Sequence, residues 1–256
     1  MRTFKSFDGV EIAFDDMGVG EATLLHHGFA SDSRTNWVRP GVAGALVEAG
    51  RRVVLVDARG HGRSEKPHDV DAYRGGAMAR DARALLDHLG IEDVAVVGYS
   101  MGSFVAIRLA VSDDRVRALV LGGAGTAQIG MSRREHADRI ADALEASDKT
   151  MITDPTALAF RNFADATGAD RAALAAIQRA TSEAPGMEVL GSIGVPTLVV
   201  NGERDTLIGP LGSLAEAIPG ARLVVVPGDH VSAVVRPEFR EAVVRFLTNV
   251  APEARS

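Results

Sequence analysis

The chain contains no cysteine. That absence removes disulfides, thiolate metal sites and cysteine nucleophiles together, and it fits a reducing compartment. Long apolar runs are missing as well. No segment approaches the roughly 20 residues that a membrane-spanning helix needs. Met1 to Lys5 leads into a polar stretch without the apolar core of a secretory signal, so a cytoplasmic location without membrane insertion is expected. Blocks of basic residues are also lacking. Arg51-Arg52 and Arg133-Arg134 are isolated pairs and the net charge is −6, which argues against a nucleic-acid partner. There are no internal repeats, and the only compositional bias is toward alanine. What remains is an ordinary globular composition, 46% hydrophobic and 24% charged, and 256 residues suit one α/β domain with an insertion.

Hydrophobic patterning supplies the elements. Val10, Ile12 and Phe14 alternate with polar positions, as in a half-buried strand, after a turn at Asp8-Gly9. Short apolar runs follow at Ala22 to Leu25, Val53 to Val56, Val94 to Val97 and Ala118 to Leu121. Runs of this kind belong to strands buried on both faces of a parallel sheet. Helical patterns separate them, at 42–49 and 77–89, each stopped by a glycine. From Gly122-Gly123 to about Pro185-Gly186 only helical periodicity is present, predicting three short helices with breaks near Asp154-Pro155 and Thr167-Gly168. Strand patterns resume at 196–200 and 223–226, and a last helix follows Pro237. The alternation implies a parallel sheet with helices on both faces.

Gly98-Tyr99-Ser100-Met101-Gly102 sits where one of these strands meets a helix. The five-residue pattern alone is weak, but this setting is that of a nucleophile elbow, a sharp turn that lifts one serine hydroxyl above the sheet. In an open parallel sheet, partners of that serine belong in loops past other strand ends. Strand 198–200 runs into Asn201-Gly202-Glu203-Arg204-Asp205, and strand 223–226 into Pro227-Gly228-Asp229-His230. Ser100, Asp205 and His230 then form a candidate triad. A neutral imidazole takes the serine proton during attack and returns it to the leaving group, while a carboxylate on the far ring nitrogen fixes the tautomer. Glu203 and Asp229 are rival acids, and Asp229 adjoins His230 too closely to face it readily. A tetrahedral intermediate needs preorganised N–H donors. The N–H of Met101 is one candidate, and Phe29, in the loop after the 22–25 strand, is the second. His26 and His27 read as loop-orienting residues.

These residues resemble a serine hydrolase of the α/β-hydrolase fold, of the small capped, esterase-like kind. The resemblance rests on His27-Gly28-Phe29, Asp57-Ala58-Arg59-Gly60-His61-Gly62-Arg63-Ser64, the elbow, Gly202-Glu203-Arg204-Asp205 and Gly228-Asp229-His230, which span nearly the whole chain in the family's order. It implies a mostly parallel eight-stranded sheet, with residues 1–122 and 187–256 as the core domain and 123–186 as a helical cap over the active site. It also implies that Asp57, Arg59 and His61 are structural. Two positions depart from the family: a second glycine is common near Ser31, and glycine often stands where Ser103 does.

The expected activity is cleavage of a carboxylic ester, thioester or lactone through an acyl-enzyme, on a small-molecule acyl substrate, without metal or cofactor. Trp37, Tyr99, Met131, Phe160 and Phe163 are candidate pocket residues. Ile129, Met151 and Met187 belong to the same insertion and its edge, where apolar residues more often form the cap's own core. Carbon–carbon bond hydrolases and cofactor-free perhydrolases use the same triad, and a slow-turnover ligand sensor is a further alternative. Oligomeric state is not legible.

Overall fold

Six apolar runs become the parallel part of one eight-stranded sheet. They are β3 (Glu21–His26), β4 (Arg51–Val56), β5 (Val94–Tyr99), β6 (Val116–Gly122), β7 (Thr197–Gly202) and β8 (Arg222–Val226). With β1 (Arg2–Lys5) and β2 (Glu11–Met17) the strand order is β1-β2-β4-β3-β5-β6-β7-β8. The β1/β2 and β2/β4 pairs are antiparallel and the rest parallel. The computed structural model describes residues 2–129, 132–180 and 186–250.

The two-residue period of a strand decides which helix each side chain meets. On one face Leu24, Val54, Val96, Leu119 and Leu121 pack with Leu85 and Leu86 of α2 (Ala77–Leu89) and Ile107 of α3 (Met101–Ala110). On the other, Leu25, Leu55, Val97 and Val120 pack with Leu46 of α1 (Val42–Glu48) and with Phe239, Val243 and Leu247 of α9 (Pro237–Asn249). Burying each such side chain stabilises the fold by about 2 kcal/mol. Among the described residues no helix is long and apolar enough to cross a membrane.

Between β6 and β7 the chain leaves the sheet. The three expected helices are α4 (Ser132–Glu145), α5 (Pro155–Thr167) and α6 (Arg171–Ala180). α5 begins where predicted: Asp154 Oδ1 accepts from the N–H groups of Thr156 and Ala157, both at 2.9 Å, and Pro155 fills the first turn. It ends at Gly168 in the left-handed region (φ 67°). The Arg161 guanidinium donates to the carbonyls of Ala143 and Ala146, fastening α5 to the end of α4. Ile140, Leu144, Ala164, Leu174 and Ile177 form a shared core that also takes in Phe29 and Ala30 from the loop after β3. Thr167 Oγ1 donates to the Ala30 carbonyl at 3.2 Å. The short helices α7 (Met187–Leu190) and α8 (Ser213–Ala217) carry too few residues for a readable period. Pro185, at the expected end of the helical segment, lies outside the described residues.

Candidate active site

The elbow is built by steric necessity. Ser100 adopts φ 52° and ψ −114°, an unfavourable backbone for a residue with a side chain. Its N–H donates to Gly122 O at 2.8 Å, which fixes the strand end. A Cβ on Gly98 would lie 2.3 Å from Gly102 O, and one on Gly102 would lie 2.1 Å from His26 O. Both glycines are therefore demanded by backbone approach. Ser103, where many relatives carry glycine, is fully buried and its hydroxyl donates to Gly122 O at 2.9 Å.

The loops after β7 and β8 bring the partners to Ser100. His230 Nε2 lies 2.9 Å from Ser100 Oγ, and its Nδ1 lies 2.7 Å from Asp205 Oδ2. With the carboxylate on Nδ1, that nitrogen carries the proton and Nε2 accepts from the serine hydroxyl. Asp205 Oδ1 accepts from the Leu207 N–H at 3.0 Å, and the Asp205 side chain is shielded from solvent. The rival acids are engaged elsewhere. Glu203 pairs with Arg204, and Asp229 caps the turn through Ser232.

Around this line the backbone offers two N–H groups. Met101 opens α3, so its N–H has no acceptor within the helix. The Phe29 N–H makes no hydrogen bond to any described residue. The loop carrying Phe29 is braced from below. Asn36 Oδ1 accepts from the Gly28 N–H at 3.0 Å. His27 donates through Nδ1 to Gly28 O at 2.8 Å and accepts at Nε2 from the Ala58 N–H at 3.0 Å, which defines one neutral tautomer. The residue after Phe29, Ala30, has φ 57°. This left-handed position, one before Ser31, is therefore held by a residue with a side chain.

The Asp57–Ser64 stretch forms the wall of that loop. Asp57 accepts from the N–H groups of Ser33 and Arg63. Arg59 is fully buried and donates to Asp81, Asp8 and the Ala72 carbonyl. His26, His27 and His61 lie together in the interior, with ring centroids 5.7 Å and 5.1 Å apart in turn. Burial, reinforced by their mutual repulsion when charged, pushes His26 down to about 3 and His61 well below the ordinary value; burial also lowers His27.

Among the described residues, two cavities open beside Ser100. One, about 400 Å³, lies toward α4 and α6, and the other, about 380 Å³, lies toward α5 and the turn after His230. Phe160 lines both, edge-to-face on Phe29 with centroids 5.7 Å apart, and Phe163 lines the second. Tyr99 also borders the second cavity, and its hydroxyl donates to the His230 carbonyl. Trp37 is elsewhere. It is fully buried against Phe239 on the α1/α9 face and lines neither cavity, because its short helical turn (Arg34–Val38) directs it into the core. Met131 lies outside the described residues. Met151 and Met187 are exposed and Ile129 is buried in the sheet core. His136, distant in sequence from every strand end, borders the first cavity with Gln128, Arg139, Gln178 and Thr206. Their positions follow an ordinary helical and loop pattern, so no sequence signal distinguishes them. Among the described residues no group of three or more His, Cys, Asp or Glu side chains converges as a metal ion would require.

A family model described as alpha/beta hydrolase fold matches residues 22–148. A non-heme haloperoxidase from Rhodococcus erythropolis is 32% identical over 254 aligned residues, covering 86% of this chain and 89% of that one. The enol-lactonase from Burkholderia xenovorans LB400 superposes with a TM-score of 0.76 at 28% identity, covering 97% of this chain and 100% of that one. A thermophilic esterase from Thermogutta terrifontis gives 0.77 at 26% identity, covering 97% and 98%. The chain belongs to the α/β-hydrolase fold family and to its hydrolase enzymes.

Proposed function

We propose that the protein hydrolyses a carboxylic ester, thioester or lactone through an acyl-enzyme at Ser100. The continuous Ser100–His230–Asp205 line of hydrogen bonds, 2.9 Å and 2.7 Å, is the observation that carries this reading. Ser100 Oγ bonds to the carbonyl carbon while its proton passes to His230 Nε2. The negative oxygen is held by the N–H groups of Phe29 and Met101. Collapse breaks the bond to the leaving oxygen or sulfur, which takes the proton from His230. Water then gives a proton to His230 as its oxygen bonds to the acyl carbon, and Ser100 departs with that proton. Asp205 holds the ring in the tautomer both halves need. Segment 123–186 acts as a cap over this site, and the partner is a small acyl compound in the cytoplasm.

Turnover of p-nitrophenyl acetate, with a fluorophosphonate as trap, tests the reading. Sustained product release, and a phosphonyl adduct mapped to Ser100, are expected. A single stoichiometric burst would mark a ligand sensor instead, and an adduct on another residue would overturn the assignment. A second reading is favoured by the haloperoxidase relative: hydrogen peroxide replaces water in deacylation and the product is a peracid. It predicts halide oxidation that depends on both peroxide and an acyl donor.

A further inference from the structure

Ser100 and His230 sit at the junction of two cavities that differ in chemistry. Five residues line both: Phe29, Ser100, Phe160, Leu207 and His230. Phe160 and Leu207 therefore lie on the boundary between the two, with the Phe29 ring packed against Phe160. On one side the lining is mostly apolar, with Pro155, Ala159, Phe163, Val231, Val234 and Val235 outweighing Ser31, Thr35, Asn36 and Thr156. Val231 and Val235 are 66% and 53% exposed, a large apolar surface at the mouth of that cavity. On the other side Gln128, His136, Arg139, Gln178 and Thr206 interrupt an otherwise apolar lining.

The polar side carries little net charge. Arg139 Nε lies 3.0 Å from Asp154 Oδ2, so its charge is balanced before any ligand arrives. His136 is disposed to be neutral, since burial and the neighbouring Arg139 both lower its pKa. Gln128 Oε1 already accepts from the Gly125 N–H at 2.9 Å, so the Gln178 amide and the Thr206 hydroxyl are the recognising chemistry. A carboxylate would compete with Asp154 for Arg139 and lose hydration without an unpaired cation to replace it.

We infer that the substrate has two unlike arms on either side of its scissile carbonyl, one apolar and one uncharged but hydrogen-bonding, and that Phe160 keeps them apart. This rests on the acyl-enzyme reading above. At roughly 30 Å³ per water-sized volume, each cavity has room for about thirteen heavy atoms, so each arm is a short chain or a single ring. Gln178, half-buried on α6, is the principal reader of the polar arm, and Phe160 is the specificity-determining residue between the two.

Two ester series test the inference. In one, a phenylacetyl group is joined to butyl, hydroxypropyl or carboxyethyl alcohols. In the other, benzyl alcohol is joined to pentanoate, succinamate or hydrogen succinate. In one series the uncharged polar member should exceed both its apolar and its carboxylate counterparts in kcat/KM by at least about tenfold. That series also shows on which side of the carbonyl the polar cavity lies. Gln178→Leu should shrink the preference about fivefold, and Phe160→Ala should shrink it by merging the cavities. Each is a ratio measured on one protein, so a folding defect does not mimic it. Preference for a carboxylate arm, equal rates within both series, or a Gln178→Leu ratio equal to wild type would overturn the inference. Acetate esters, whose acyl side is too small to fill a cavity and whose turnover is measured without a polar arm, separate the two claims. Failure to turn over p-nitrophenyl acetate defeats the acyl-enzyme reading, whereas acetate turnover without the preference defeats only this one.

Discussion

The Tyr99 hydroxyl donates to the backbone carbonyl of His230 at 2.7 Å. The residue just before Ser100, the proposed nucleophile, thus fastens the loop that carries His230, its proposed base. Burial pushes the Tyr99 phenol well above its ordinary pKa, so it remains a donor across the working range. Tyr99→Phe removes the donor and leaves a carbonyl without its partner. The expected loss is about 1 kcal/mol of stability, or roughly 2–4 °C in Tm, with kcat falling severalfold as His230 loosens. Thermal melts and acetate-ester kinetics on the same preparation check both.

Ser100→Ala should abolish ester turnover, by at least about four orders of magnitude, while keeping the fold. Only one hydroxyl oxygen is lost from a half-buried position outside the core, so Tm should stay within a few degrees. Retained turnover would remove Ser100 from the mechanism.

Asp205→Asn keeps the shape but reverses the tautomer of His230, because an amide NH2 opposite Nδ1 favours the proton on Nε2. A fall in kcat of about 10³–10⁴ is expected, with KM little changed. Glu203→Gln, whose native partner is the neighbouring Arg204, should be close to wild type. The reverse ranking would transfer the acid role to Glu203.

The buried histidines predict acid sensitivity. His26 is depressed to about 3, and His27 and His61 are lowered, whereas the unfolded chain titrates near 6.5. Below that value the unfolded state binds more protons than the folded one, so stability falls as pH falls. Each such histidine costs about 1.4 kcal/mol per pH unit below 6.5, down to its folded value. Urea denaturation between pH 7 and pH 5 should show this slope. His61→Gln should reduce this slope, whatever its effect on stability at pH 7.

Ala30 holds a left-handed conformation at φ 57°. Ala30→Gly removes a strain of about 1 kcal/mol and loosens the loop that presents Phe29. The expected result is unchanged or slightly higher Tm together with lower kcat. A rise in kcat would show that the loop's rigidity does not serve the reaction.

Much of this arrangement was legible in the sequence, because strands and elbows write themselves in local pattern. Val94 to Val97 announced β5, Asp154-Pro155 announced the start of α5, and strand-end position drew attention to His230 and to Asp205, with Glu203 and Asp229 as rival acids. Other features depend on what comes near across the fold. Nothing in the neighbourhood of Trp37 distinguished a core side chain from a pocket side chain until the turn carrying it was seen to face Phe239. His136 and Gln178 occupy ordinary helical positions, and only the folding of α4 and α6 toward Ser100 gives them a cavity. The Ala30 turn was hidden for another reason: alanine gives no sign of the conformation that glycine would advertise.

Gly102 has one further consequence. Its backbone approaches His26 so closely that no side chain fits between them, and the helix bearing Met101 is pressed onto the strand that leads to Phe29. The two backbone segments proposed to hold the oxyanion therefore cannot be adjusted separately. Change has only the opposite wall to work on, where α4, α5 and the turn after His230 contribute most of the side chains. Descendants of such a chain, in nature or in the laboratory, should trade one substrate for another by altering that wall while inheriting the reaction unaltered.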